Sequence, residues 1–390
     1  MAGSSNSSWR RIVAATAILL GGAAPAWAAD PGVYADRIVF GQAAVLEGPA
    51  SALGTGMRDG ILAAFAEANA AGGVKGRKLE LVLRDDGYEP AKAAAAARQL
   101  LDQDKVFALI GPVGTPTSAA MEPIVAAAQV PFIGPFTGAE FLRNPYKPHV
   151  VNVRASYFQE TEEMVERLTV DLKHERIAIL YQNDSFGRAG LAGVQRALTK
   201  RKMELAGEAT FERNTTAVKR ALIELRKREP QAIIIIGPYA PAGEFIRAAK
   251  KLGLKTVFVN ISFVGSDALA GDLGPDGAGV VVTQVVPFPR DTSIPLVAAY
   301  QKALAAYMPK AWPGFISLEG YMVGRLAIQA LQKLEGEPSR AALLKALGSG
   351  NYDLGGVTLG FGPDDNQGSD AVFLTRIDAE GRFQSIRSLQ

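Results

Sequence analysis

Phe107-Ala108-Leu109-Ile110-Gly111-Pro112, then Val113-Gly114-Thr115-Pro116-Thr117-Ser118 and an apolar run to Ala128, has a counterpart later in the chain. There Ala232-Ile233-Ile234-Ile235-Ile236-Gly237-Pro238 leads into Tyr239-Ala240-Pro241-Ala242-Gly243 and a helical pattern to Lys250. Each unit is a short, wholly apolar strand that stops at Ile-Gly-Pro and turns into a helix. The pieces upstream also correspond: Lys78-Leu79-Glu80-Leu81 and Lys202-Met203-Glu204-Leu205 each open a strand. A strand without polar residues is buried on both faces, which predicts parallel α/β sheets covered by helices. In such sheets ligands sit beyond the carboxyl ends of the strands, where both Gly-Pro loops fall. Two such lobes in one chain predict a ligand gripped between them.

Strand and helix patterns alternate around these units, the mark of βα repeats. Strands are expected at 38–45, 79–83, 106–110, 130–133 and 150–153, with helices at 56–71, 90–103 and 117–128. A second set follows, with strands at 176–181, 204–210, 232–236, 256–259 and 279–285 and helices at 157–172, 186–201, 216–228 and 241–252. Val218, Leu222 and Leu225 fall at i, i+4 and i+7, one buried helical stripe. Helices 293–307, 316–334 and 340–347 come next, and the tail is expected to form a hairpin around Ala379-Glu380-Gly381. Val150 to Val153 and Pro287-Phe288-Pro289 are expected crossings between lobes. No low-complexity linker divides the chain, so discontinuous domains are expected: 29–153 with 288–358 as lobe 1, and 154–287 with 359–390 as lobe 2.

The ends and totals narrow the function classes. Arg10-Arg11, the apolar stretch Ile12–Leu20 and Ala26-Trp27-Ala28 have the layout of a cleaved secretory signal over residues 1–28. The apolar stretch is too short to span a bilayer, which takes about 20 residues. The chain of 390 residues holds no cysteine, so no lipid anchor and no disulfide is expected. Its formal charge of +3 falls to +1 without Arg10 and Arg11, since residues 1–28 contain no acid. Near-neutral charge without long charged runs excludes nucleic acid and anionic membrane surfaces as expected partners.

Enzyme signatures are missing from the sequence. The two histidines, His149 and His174, stand far apart. There is no His-Glu-x-x-His motif, no Gly-x-Ser-x-Gly elbow and no Walker loop. Gly54-Thr55-Gly56-Met57-Arg58-Asp59-Gly60 has the look of a dinucleotide turn, but its last glycine comes one residue late. Asp364 to Asp370 is no EF-hand, because Ser369 and Thr375 stand where glycine and glutamate are required, and it is expected as a polar surface turn before a strand. No cofactor or metal is expected. What remains is a set of small, hydroxyl and aromatic residues at strand-to-helix turns. Thr115, Thr117 and Ser118 open a helix, where free N–H groups and the dipole attract an anion; one hydroxyl is expected to cap it. Phe136-Thr137-Gly138 ends the next strand, and Phe186 and Tyr239 occupy the matching turns of the second lobe, placed to cover an apolar or aromatic ligand.

With these residues the chain resembles the Leu/Ile/Val-type periplasmic substrate-binding proteins of ABC importers, of the type I binding-protein fold. The similarity runs from about Arg37 to Phe383. It rests on Glu47-Gly48-Pro49, on Asn69 to Gly76, on Asp85-Asp86-Gly87-Tyr88-Glu89-Pro90 and on Ile110-Gly111-Pro112. Asp184-Ser185-Phe186-Gly187 and Gly253-Leu254-Lys255-Thr256 complete it, in order and spacing. The resemblance implies two Rossmann-like lobes with parallel central sheets and a multi-strand hinge that closes on ligand, the closed form being recognised by permease subunits. It implies carboxylate binding by Thr115, Pro116, Thr117, Phe136, Thr137 and Gly138, and cover from Phe186 and Tyr239. An amino-acid binder of this kind places an acid near Ser262 for the ammonium. Ser262 is no acid, so either Glu319 or Asp267 substitutes or the ligand is an amine-free aromatic or keto acid. Glu319 and Asp267 are otherwise expected as surface or capping residues. Pro116 also removes one backbone donor. A ligand sensor for a membrane receptor is the alternative use of the same scaffold.

Overall fold

The computed structural model describes residues 1, 2 and 30–390; the expected signal segment falls almost wholly on residues 3–29, outside the described residues. The first sheet is built from β1 (Arg37–Ala44), β2 (Lys78–Asp85), β3 (Ala108–Ile110), β4 (Phe132–Ile133) and β5 (Val150–Val151), in parallel order β2-β1-β3-β4-β5. Helices α1 (Ser51–Ala70), α2 (Pro90–Asp102) and α3 (Thr115–Ala127) connect these strands. Burial on both faces follows from the apolar runs. Ile38, Phe40 and Ile110 pack with Met57, Ile61 and Phe65 of α1. Val39, Ala43 and Leu109 turn the other way, onto Ala97 and Leu100 of α2 and Met121 and Val125 of α3.

The chain then crosses to a second body through α4 (Tyr157–Glu166), which runs on into a π-helical turn at Arg167–Asp171. The second body alternates β6 (Ile177–Gln182), α5 (Ser185–Lys200), β7 (Gly207–Phe211), α6 (Lys219–Arg226), β8 (Ala232–Ile236), α7 (Tyr239–Lys251), β9 (Val257–Asn260), α8 (Ser266–Leu273) and β10 (Val281–Gln284). Val218, Leu222 and Leu225 are buried as one stripe. From β10 the chain returns to the first body as α9 (Pro295–Tyr307), α10 (Phe315–Lys333) and α11 (Arg340–Leu347); α9 and α10 pack on α1 and α11 on α10. After the hairpin β11 (Gly350–Asp353) and β12 (Thr358–Phe361), it crosses again beside β5. The Asn152 amide donates to Asn366 O at 2.8 Å and Gly368 N to Asn152 O at 2.8 Å. β13 (Phe373–Ile377) and β14 (Phe383–Ile386) then add an antiparallel edge to the second sheet, ordered β14-β13-β10-β9-β8-β6-β7.

Three differences from the sequence expectations have physical causes. Helix α1 begins at Ser51, not at 56, so Gly54, Gly56 and Gly60 are helical and form no ligand-cradling turn. Gly54 is needed because a Cβ there would stand 1.9 Å from Val45 O, where strand and helix nearly touch. Helix α8 and the β11–β12 hairpin carry no sequence expectation: α8 has only eight residues, and the hairpin is glycine-rich at both ends. The Asp364–Asp370 segment is no surface turn alone, since Asn366 is buried at the crossing and donates to Leu142 O at 2.9 Å.

The α1–α10 seam brings backbone against backbone, for a Cβ on Gly60 would lie 2.0 Å from Ser317 O. Replacing Gly60 by alanine gains helix propensity but forces the helices apart. We expect Gly60→Ala to lower unfolding stability by about 1–3 kcal/mol in urea titrations; an unchanged or raised midpoint would contradict this packing.

Candidate functional site

The carboxyl ends of both sheets face each other, and the loops there bury a set of rings. Phe136 follows β4, Tyr88 precedes α2, Phe186 opens α5 and Phe263 follows β9. Phe263 stands at the centre, its ring centroid 4.6 Å from Phe186, 5.2 Å from Phe136 and 6.0 Å from Tyr88. Tyr157, on the first turn of α4, lies 5.5 Å from Phe186. These tilted pairs are the arrangement that ring quadrupoles favour. The pairs of Phe263 with Phe136 and Tyr88 join the two bodies, while its pair with Phe186 lies within the second.

Arg154 enters this apolar setting from the first crossing and is fully buried. Its guanidinium carbon lies 4.7 Å over the Phe136 ring, a cation–π contact in a desolvated place. Nη2 donates to Ser262 Oγ and stands 3.6 Å from Glu160 Oε1, while Nε stands 3.6 Å from Glu319 Oε1. Glu160 projects from α4 of the second body and Glu319 from α10 of the first, so carboxylates from both sides hold one cation. A buried ion pair survives desolvation only when its remaining atoms are bonded. Glu160 meets that condition: it accepts from Ser262 N at 2.9 Å, Ser262 Oγ at 2.9 Å and Thr283 Oγ1 at 2.6 Å. Arg154 Nε and Nη1 and Glu319 Oε1 do not, for none makes a hydrogen bond among the described residues.

The electrostatics follow from burial. Desolvation pushes the Glu319 carboxyl up to about 7, with Arg154 opposing and Glu160 reinforcing the rise. Burial works against the charge of Arg154, yet Glu319 and Glu160 hold its pKa above the ordinary value. Asp86 is likewise pushed up to about 7 by desolvation, although the Tyr88 amide donates to it at 2.8 Å.

The sequence model described as Periplasmic binding protein matches residues 37–382. The chain belongs to this family. Among curated relatives, the leucine-specific-binding protein of Salmonella typhimurium is 26% identical over 287 residues, covering 71% of this chain and 75% of the relative. The Leu/Ile/Val-binding protein homolog 7 of Brucella suis is 24% identical across 96% of this chain and 95% of its own. A solved structure of a possible leucine/isoleucine/valine-binding protein from Rhodopirellula baltica superposes with a TM-score of 0.87. It shares 39% identity and covers 93% of this chain and 98% of that one. The fold is therefore that of the type I periplasmic binding proteins, two parallel-sheet lobes facing across a cleft. Among the described residues no helix is long and apolar enough to cross a membrane.

In this periplasmic binding protein the structure gathers most of the residues singled out from the sequence. Thr115 and Thr137 hydroxyls meet at 2.6 Å, and the Tyr157 hydroxyl faces that pair. Gly138 permits the close approach of Tyr157, since a Cβ there would lie 2.5 Å from the ring; Tyr157 N also donates to Gly138 O at 2.7 Å. Phe136, Phe186, Ser262 and Glu319 complete the group. Three others stand apart from the Arg154 network. Pro116 is buried in the first turn of α3. The Thr117 hydroxyl donates back to Val113 O and, at 3.0 Å, to Gly114 O. Tyr239 accepts the Ala52 amide at 3.4 Å, joining α7 to α1.

Two expectations are corrected. No hydroxyl caps α3, whose N-cap is Gly114 with a positive φ of 102°, a backbone that Ser or Thr would adopt only under strain. Glu319 is no surface residue, being 2% exposed, whereas Asp267 does cap, accepting Phe315 N at 3.1 Å at the start of α10. Sequence reasoning passed over Arg154, Tyr157, Glu160, Tyr88 and Phe263. The available signal was an arginine directly after an apolar crossing strand, followed by the capping-box spacing of Ser156 and Gln159.

Glu319 and Asp86 have ordinary pKa values of 4.5 and 3.8, both raised to about 7 in the folded chain. Folded protein thus holds protons that the unfolded chain has released, so their contribution is complete below about pH 4 and lost as pH rises to about 7. We expect the wild type to lose stability over that window relative to Glu319→Gln with Asp86→Asn, by roughly 3 kcal/mol for each group. Denaturant titrations at pH 4.5, 6 and 8 measure it; parallel profiles for the two proteins would refute it.

Proposed function

We propose that this protein captures a small carboxylate-bearing molecule in the cleft beside Arg154 and delivers it, unchanged, to the membrane subunits of an ABC importer. The lobes that close on it are residues 29–153 with 288–358 and residues 154–287 with 359–390, after removal of a signal segment during export to the periplasm. The observation that carries this reading is the buried Arg154 guanidinium, whose Nε and Nη1 donors are not used in any hydrogen bond among the described residues. A planar fork of N–H donors matches a carboxylate in bidentate geometry. The hydroxyls of Thr115, Thr137 and Tyr157 stand ready for the second carboxylate face, and Phe136, Phe186 and Phe263 offer apolar surface to the rest of the ligand. The names of the relatives, leucine-specific and Leu/Ile/Val-binding, support solute capture as the task.

Closure is supported at the rim. Asn214 Nδ2 donates to Gly87 O at 3.1 Å and Glu89 Oε1 at 2.7 Å, tying the second lobe to the first. With Tyr239 on Ala52, these contacts form only when the lobes are together, as hinge closure requires.

A thermal-shift panel of branched-chain amino acids, benzoates and keto acids tests the assignment. A ligand that binds the folded state raises Tm according to RT ln(1 + [L]/Kd), and a micromolar Kd corresponds to about −8 kcal/mol. Carboxylates are expected to stabilise while the matching amides and esters do not. Arg154→Lys, which keeps the charge but loses the fork, is expected to weaken binding at least about tenfold, or ~1.4 kcal/mol. Equal shifts from acid and amide, or unchanged affinity in Arg154→Lys, would remove the carboxylate from the reading.

A further inference from the structure

The cleft holds no surplus positive charge for a ligand: Arg154 and Arg143, the cations that act on Glu319, are matched by the acids Glu160 and Glu140. Glu160 is committed to Ser262 and Thr283, while Glu319 Oε1 stands 3.6 Å from Arg154 Nε and accepts no hydrogen bond among the described residues. The elements around α10 keep their charges occupied elsewhere. On α1, Asp59 is paired with Arg58 at 2.7 Å and Glu67 with Arg325 at 3.0 Å. On α9 the Tyr300 hydroxyl meets Ser317 at 2.6 Å. On α11, Arg340 donates to Phe107 O at 2.9 Å and Val106 O at 2.8 Å, and Lys345 is exposed.

A carboxylate docking on Arg154 therefore adds a negative charge that these four groups do not offset. A buried charge without a counter-charge is costly, and the group best placed to be neutralised is the carboxylate that lacks hydrogen bonds. Resting on the function proposed above, we propose that Glu319 takes up one proton from solvent as the ligand's carboxylate docks on Arg154, and that the site thereby selects amine-free carboxylates. An amino acid would behave differently. Its ammonium would have to settle on Glu319 within a few ångströms of the Arg154 guanidinium, like charge beside like charge in a dry site. The proton affinity of Glu319, raised by burial to about 7, lets this exchange occur near neutral pH.

Calorimetry on the purified protein tests the idea, with benzoate, 4-methyl-2-oxopentanoate and leucine as probes between pH 6 and 8.5. In two buffers of different ionisation enthalpy, the amine-free acid that binds should take up close to one proton at pH 8. Its Kd should rise about tenfold per pH unit above 7, since one linked proton gives unit slope. In Glu319→Gln the profile should be flat, and leucine should bind more weakly than its keto analogue in the wild type. A flat wild-type profile, with binding still lost in Arg154→Lys, overturns the proton linkage and leaves the carboxylate reading standing. Leucine binding more tightly than its keto analogue overturns the selection. No binding by any carboxylate removes both proposals. The proton count from the two buffers needs no variant, so misfolding of Glu319→Gln would not spare the idea.

Discussion

A single guanidinium, fully buried at the meeting of two α/β lobes, sets the terms for the rest of the cleft. An isolated cation there would cost many kilocalories per mole, so it must be surrounded by acids, and those acids must come from somewhere. One is delivered by α4 of the second lobe and one by α10 of the first. The aromatic rings around them lower the local dielectric, which strengthens each pairing and raises the cost of leaving any member without a partner. Ser262 and Thr283 are polar for this reason: the Ser262 hydroxyl donates to Glu160 Oε1, the oxygen nearest the arginine, and the Thr283 hydroxyl donates to Oε2.

The remainder of the architecture brings these groups to one place. Parallel sheets with apolar strands put every strand-to-helix turn at the carboxyl edge. The two sheets face each other by that edge because the chain passes between them at Arg154, after β10 and at Asn366. Glycine at 138 lets Tyr157 sit against the β4 loop, and glycine at 54 lets α1 begin directly over Val45. These are tolerances of one methyl group, and the cleft depends on them as much as on its charges.

Much of this was legible in the sequence, for definite reasons. The apolar runs at 107–110 and 232–236 have no polar position, which leaves only a sheet covered on both faces, and both are buried strands of parallel sheets. Thr115, Phe136, Thr137, Gly138, Phe186 and Ser262 lie at loop positions that βα topology alone brings together. Glu319 was named from charge bookkeeping, but its burial was not legible, because its helix is apolar nearly all round and gives no inward face by periodicity. Arg154 and Glu160 were missed because a charged residue after an apolar strand ordinarily marks a return to solvent. Only the tertiary meeting of four separate segments makes that arginine internal. Helix α8 and the β11–β12 hairpin were too short to show a period at all.

The glycine seam between α1 and α10 carries a mechanical implication. Two helices whose backbones touch cannot slide or roll independently, so they move as one beam. One face of that beam bears Glu319 at the arginine, and the N-terminal end of α1 presents the Ala52 amide to Tyr239 of the opposite lobe. The acid at the arginine and the amide at the rim are therefore carried by one pair of helices packed backbone to backbone. Chemistry at the centre and the seal at the edge are geared to the same rigid part.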